Sequence, residues 1–505
     1  MNATAHELST SRTLCDLVVR RAELTPDRPV FLQDDRALTF GELRGRAERV
    51  AAGLYGMGVR PGTVVAWQLP TRIETAVLSF ALARLGAVQS PVIPFYRDRE
   101  VGFALRESRA EFFAVPGTWR GFDHTEMARR LGAKGVFEAY DALPDGDPGV
   151  LPAPPAEGTS VRWIYWTSGT TSDPKGVLHT DRSLIAGGSC LAHALHLSAA
   201  DVGSMAFPYA HIAGPDYTVM LLLYGFPAVM FEQFALPQAL EGYRRHGVTV
   251  AGGSTAFYSM FLAEQRKQPG EKVIPTLRLL AGGGAPKPPE VYHSVVREMG
   301  VQLTHGYGMT EVPMITMGSP DDTAENLATT EGRPPRGMEI RIVDGEVRLR
   351  GEAVCQGYLD PAQTAEAFDE EGFLRTGDLG QLTGSGHLVL TGRSKDVIIR
   401  KGENISAKEI EDLLHRHPAV GDVAVIGLPD AERGERVCAV IEAAAQPAEA
   451  AGLTLDAVTS YLRAEGLSVH KLPEQLEVVD ALPRNETLRK VLKYKLRERY
   501  SDTVK

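Results

Sequence analysis

At 505 residues the chain is too long for one small core and has room for about three or four compact units. Hydrophobic residues make up 43% and charged residues 23%, which excludes a disordered chain, and the formal charge of -10 argues against nucleic acid as a partner. Any polyanionic ligand must therefore be held by a local cluster of donors against the overall field.

The N-terminal segment "MNATAHELSTSRTLCDLVVRR" has no apolar core of signal-peptide length. Thr39 and Glu42 then have capping-box spacing, and Phe40, Leu43, Ala47, Val50 and Leu54 recur at helical intervals, which predicts an amphipathic helix. Short apolar runs follow, "GTVVAWQLP", "AEFFAVPG", "VRWIYWTS", "AVMFEQF" and "VTVAGGS", alternating with helical segments such as "RIETAVLSFALARLG" and "LPQALEGYRRHG". That alternation predicts an α/β body with largely parallel sheets flanked by helices. The Pro- and Gly-rich stretch 142–160 reads as a surface connector, and "YTVMLLLYGFPAVMF", broken by Gly225 and Pro227, as a buried element with no membrane span. Near residues 392–404 the texture changes. Ser406 and Glu409 repeat the capping-box spacing, and two strand-like runs and another helical pattern lead to a basic tail, enough for a small α+β domain. The four cysteines, Cys15, Cys190, Cys355 and Cys438, lie far apart and fit a reducing cytoplasm.

The densest chemistry lies in "YWTSGTTSDPKGVLHT", residues 165–180. Thr167, Ser168, Gly169, Thr170, Thr171 and Ser172 crowd a turn after a strand, with Lys175 just beyond Pro174, a composition suited to gripping an anion. A common phosphate-binding loop needs Gly, Lys, then Ser or Thr; here Lys175 precedes Gly176 and the hydroxyls come before the lysine, so that reading fails. Downstream, "GYGMTE" (306–311) sets a hydroxyl beside a carboxylate, suited to a nucleotide and a hard cation. "TGDLG" (376–380) holds Asp378 between glycines, "GRSKDVIIRKGENISAKEIE" offers Arg393 and a glycine turn at Gly402, and "LPRNETLRKVLKYKLRE" presents several lysines.

These five stretches, in this order, resemble the adenylate-forming (ANL) superfamily of acyl-CoA synthetases, non-ribosomal adenylation domains and luciferases, over about residues 30 to 500. The resemblance implies a large N-terminal domain (1–394) with a small β-barrel-like subdomain, and a small mobile C-terminal domain (395–505). It implies an enzyme that activates a carboxylic acid with ATP and Mg²⁺ as acyl-AMP, releases pyrophosphate and passes the acyl group to coenzyme A. By resemblance, Thr167, Ser168, Gly169, Thr170, Thr171 and Lys175 hold the β- and γ-phosphates. Glu311 holds Mg²⁺, with Thr310 near the α-phosphate. Tyr307, between Gly306 and Gly308, stacks on adenine beside Gly283, Gly284, Ala285 and Pro286, where missing side chains let backbone approach the base. Asp378 and Arg393 fix the ribose. Relatives place a glycine before the C-terminal catalytic lysine; here it is absent and one residue is added, so Lys490 is the match and Lys493 the fallback. Lys395 is the hinge and Gly402 lines a pantetheine tunnel.

The segments matching the acid pocket, "FPYAHIAG", "AGGSTAFYS", "AGGGAP" and "HGYGMTEVP", contain no lysine or arginine, which suits an uncharged fatty, alicyclic or aromatic acid. His211, near where amino-acid-activating relatives carry an Asp, argues against an amino acid; it gates the pocket or serves as a structural hydrogen-bonding residue. Two alternatives to coenzyme A transfer stand: loading of a carrier-protein phosphopantetheine, and a nucleotide- and acyl-binding protein without turnover. A homodimer is compatible with all three.

Overall fold

The computed structural model describes residues 3–167, 174–430, 432–444, 453–485 and 489–501. Three sheets build the body of the large domain. In the first, strands run in the order 176–180, 161–166, 88–91, 64–67, 112–115, 136–138, parallel except for the edge strand Gly176–Thr180, which folds back on Val161–Trp166. The second orders 203–205, 228–230, 29–33 and 36–39, and the third 250–253, 279–283, 302–309 and 312–317; each is parallel but for a closing antiparallel strand. Helix Ile73–Leu85 is buried on nearly every face, as its unbroken apolar run requires.

The capping box at Thr39 and Glu42 has both arms in place and opens helix Phe40–Gly56. At Ser406 only one arm forms: Ser406 accepts the Glu409 N–H, while the Glu409 carboxylate pairs with Lys471 Nζ at 2.7 Å. The apolar stretch after His211 becomes the buried helix Ala213–Tyr224, ended by Gly225 with φ 70° and followed by strand Ala228–Met230. Among the described residues no helix is long and apolar enough to cross a membrane.

The expected barrel-like subdomain takes a different form. Strands Met338–Val343, Glu346–Gly351, Leu374–Leu382 and Leu388–Arg393 form an antiparallel sheet in that order, and its outer strands do not pair with each other. Four strands are too few to curl around a side-chain core, so the sheet stays open and packs one face on Tyr307, Val312 and Ile315. Beyond it, the small C-terminal domain is a five-stranded sheet with helices Ala407–Leu414 and Leu455–Ala464 over an apolar cluster of Ile398, Ile410, Val425, Val437 and Leu462. At the junction, Ser406 Oγ donates to the Thr391 carbonyl at 2.7 Å and Arg497 pairs with Asp396 at 2.7 Å.

Candidate active site

The hairpin formed by Val161–Trp166 and Gly176–Thr180 closes at its neck through Thr167 and Lys175. The Thr167 N–H donates to the Lys175 carbonyl at 3.0 Å and the Lys175 N–H to Thr167 Oγ1 at 3.1 Å. Ser168, Gly169, Thr170, Thr171 and Ser172 lie outside the described residues. The segment 356–359 zips along the edge strand: the Leu178 N–H donates to the Gly357 carbonyl, the Gln356 N–H to the Leu178 carbonyl and the Leu359 N–H to the Gly176 carbonyl. This brings Tyr358 under the neck, with Lys175 Nζ 5.0 Å from its ring centre and its hydroxyl donating to Glu311 Oε1 at 2.7 Å. Burial holds the Glu311 carboxyl above its usual range, against the Tyr358 hydrogen bond and the Lys175 charge, which favour ionisation.

Thr310 is fixed from behind. Its carbonyl accepts from His179 Nε2 at 2.8 Å, and the Ser183 hydroxyl meets His179 Nδ1 at 2.9 Å. A carbonyl can only accept, so Nε2 carries the proton, and burial keeps the ring neutral with its pKa pulled down to about 4.

A second cluster gathers on the open sheet. Asp378 and Arg393 face each other across strands Leu374–Leu382 and Leu388–Arg393. Asp378 is 4% exposed; its Oδ1 accepts from Arg393 Nε at 2.8 Å and its Oδ2 from the Tyr307 hydroxyl. Lys490 of the small domain joins them. Burial first, then the charges of Arg393 and Lys395, pull its pKa down to about 8, opposed by Asp378 and Asp396. Its loop is tied at the base: the Lys490 N–H donates to Asn485 Oδ1 at 3.0 Å and the Asn485 N–H to the Lys490 carbonyl at 2.9 Å. Arg489 stands where the expected glycine is missing, and it takes φ 59°, the left-handed conformation that glycine adopts without penalty. Lys493 instead pairs with Glu411 at 2.7 Å inside the small domain.

The glycines at 282–308 have a packing reason as well as any ligand reason. A Cβ on Gly283 would lie 2.5 Å from the Gly306 carbonyl oxygen, and one on Gly308 2.3 Å from that of Pro313. Gly284 has φ 82°, and the Ala285 and Pro286 carbonyls accept from His305 Nε2 at 2.9 Å and Thr255 Oγ1 at 2.8 Å. His211 Nδ1 accepts the Ala213 N–H at 3.2 Å at the start of helix Ala213–Tyr224, and burial lowers its pKa to about 4, so the ring is neutral. Lys395 lies in the turn Ser394–Asp396 at the junction, its pKa lowered by burial and by Arg393. Gly402, φ 83°, follows Lys401, φ 52°, in the two-residue turn between Val397–Arg400 and Glu403–Ser406, and a Cβ there would meet nothing within 4 Å.

Tyr358, His179 and Asn485 were not picked out from the sequence. Tyr358 and His179 act through partners 47 and 131 positions away and Asn485 through a loop closure, none of which a local pattern encodes; "QGYLD" shows only a tyrosine after a glycine. A single buried carboxylate, Glu311, can supply one oxygen to a cation held otherwise by nucleotide phosphates, and to that extent it fits Mg²⁺.

A profile of the AMP-binding enzyme family matches residues 18–359, and one of the AMP-binding enzyme C-terminal domain matches 409–488. The chain belongs to the AMP-binding enzyme family. Within the adenylate-forming superfamily it is similar to salicyl-AMP ligase / salicyl-S-ArCP synthetase of Mycobacterium tuberculosis, at 34% identity over 94% of this chain and 88% of that one. It is also similar to medium-chain fatty-acid–CoA ligase of Escherichia coli, at 29% identity over 96% and 90%. The structure of O-succinylbenzoate coenzyme A synthetase of Bacillus subtilis, in complex with ATP and magnesium ion, superposes with a TM-score of 0.82 at 28% identity, covering 95% of this chain and 98% of that one. This AMP-binding enzyme is thus an adenylate-forming acid ligase by family, with the large and small domains of that fold.

Proposed function

We propose that the protein is an acid–thiol ligase that joins a carboxylic acid to AMP, releases pyrophosphate and transfers the acyl group to coenzyme A. The observation that supports this reading is that Lys490 of the small domain feels the charges of Asp378 and Arg393 in the large one. Bringing a carboxylate onto a polyanion needs a cation placed where charge develops, and an ammonium from a second lobe meets that need. In this reading Thr167 and Lys175 hold the tail of the triphosphate together with Ser168, Gly169, Thr170 and Thr171. Glu311 holds Mg²⁺, which supplies charge neutralisation on the phosphates when bound, and Thr310 faces the α-phosphate. Tyr307 takes adenine and Asp378 with Arg393 the ribose. Lys395 is the pivot at a domain boundary between 394 and 395, and Gly402 reaches the thiol path after rotation. Four free cysteines suit a reducing cytoplasm.

The acid is a fatty, alicyclic or aromatic one, since no cation lines the expected pocket segments. A second reading, loading of a carrier protein, is favoured by the relative whose name includes salicyl-S-ArCP synthetase. Acid-dependent exchange of pyrophosphate into ATP, followed by thioester assays with coenzyme A and with phosphopantetheinylated carrier protein in parallel, tests both. Exchange without a thioester on either thiol would overturn the ligase reading, and no exchange with any acid would leave a binding protein.

A further inference from the structure

Asp216 sits in the first turn of helix Ala213–Tyr224 and is 3% exposed. It does not cap that helix, because the Ala213 N–H is taken by His211 Nδ1, and its Oδ1 is buried with no hydrogen-bond partner. No charged group offsets the burial, which pushes its pKa well above the usual carboxylate range. Its two oxygens lie 3.1 and 3.2 Å from where a Cβ on Gly187 would stand, with Pro313 Cβ 3.3 Å from the same point. Pro313 ends the segment that carries Tyr307 and Glu311. The Tyr165 hydroxyl, on the strand that enters the Lys175 loop, is another buried polar atom without a partner, as is the Tyr209 hydroxyl; burial first, then Tyr209 and Asp216, push the Tyr165 pKa up. Unsatisfied polar groups on Tyr165, Tyr209 and Asp216 are thus buried in the region between the stem of that loop, the start of strand Val312–Met317 and the helix that follows His211. Native interiors rarely leave such groups unpaired unless something else completes them.

We infer that Asp216 and Tyr165 form the polar end of the acid pocket and select acids whose ring carries a neutral hydrogen-bonding substituent, a hydroxyl or an aromatic amine. The inference rests on the acid-ligase reading above and narrows its substrate. A buried carboxyl kept protonated both donates and accepts, as does a phenol, so one substrate hydroxyl can accept from one and donate to the other. An alkyl chain or bare ring leaves both unpaired, and a fixed ammonium would require ionised Asp216 where burial opposes it.

The experiment compares kcat/KM for pyrophosphate exchange between matched acids: benzoate against its hydroxy and amino derivatives, cyclohexanecarboxylate against its hydroxy derivatives, and octanoate. The wild-type enzyme should prefer at least one substituted acid over its parent by roughly a hundredfold or more. Asp216→Leu should bring that ratio to within a few-fold by raising KM for the substituted acid and lowering it for the parent, and Tyr165→Phe should shrink it partway. A wild-type enzyme that uses parent acids or octanoate equally well overturns the inference, and so does a ratio unchanged in both variants. Either result leaves the ligase reading intact, whereas no exchange with any acid removes that reading and this one together. If Asp216→Leu fails to fold, the wild-type ratio and Tyr165→Phe still decide.

Discussion

Lys490 shows how one side chain can set a pH limit. A lysine whose pKa is lowered to about 8 is an ammonium below that value and loses its charge as pH rises through it. If the ammonium serves adenylation, the exchange rate falls above about pH 8, and Lys490→Ala lowers it by roughly a hundredfold to a thousandfold while thioester formation from supplied acyl-adenylate survives. A pyrophosphate-exchange profile across pH 6–10 checks both. His211 contributes no limb above pH 5, because its ring is already neutral there. Arg489 carries the opposite expectation: Arg489→Gly relieves about 1 kcal/mol of backbone strain and keeps exchange within a few-fold, which thermal unfolding and the same assay would register. Arg489 thus holds a backbone conformation that suits glycine better.

At the scale of elements, the strip 356–359 and the Lys175 hairpin form one unit. Tyr358→Phe removes the hydrogen bond that opposes the effect of burial on the Glu311 carboxyl, so the acid limb of exchange should move to higher pH. The turn at Gly402 has room for a side chain and a backbone that resists one. Gly402→Leu should spare exchange and block the thioester step, as measured by the two half-reactions separately; equal loss of both would refute its assignment to the thiol path. The helices and parallel strands were readable because their apolar periodicity and caps are local. The half-formed box at Ser406 was not, because Lys471 competes for Glu409 from sixty-two positions away. In the same way the motif lysines and carboxylates stood out by company in the sequence, whereas Tyr358, His179 and Asp216 gain meaning only once distant elements bring them to Glu311, Thr310 and Gly187.

At the scale of the molecule, the two domains also meet away from Lys490. Lys287, buried with its Nζ donating to the Ala328 carbonyl at 2.6 Å, has its pKa lowered to about 8 by burial, and buried Glu331 is pushed up. Both feel Lys408 and Asp412 of the small domain, which pair with each other at 2.5 Å. Lys408→Glu sets a like charge toward Glu331 and should slow adenylation by roughly threefold to tenfold, about 1 kcal/mol, without slowing the thioester step if that step uses another domain arrangement. Rapid-quench measurement of each step separates these outcomes.

The Asn485 tie at the root of the Lys490 loop has a further consequence. Asn485 holds Lys490 through both its amide side chain and its backbone, so that cation travels with the domain that bears it. Retreat of that lobe would strip the large domain's cleft of a positive charge in the same motion that opens it, and a polyanionic by-product would lose its counter-charge at the moment it gains a way out.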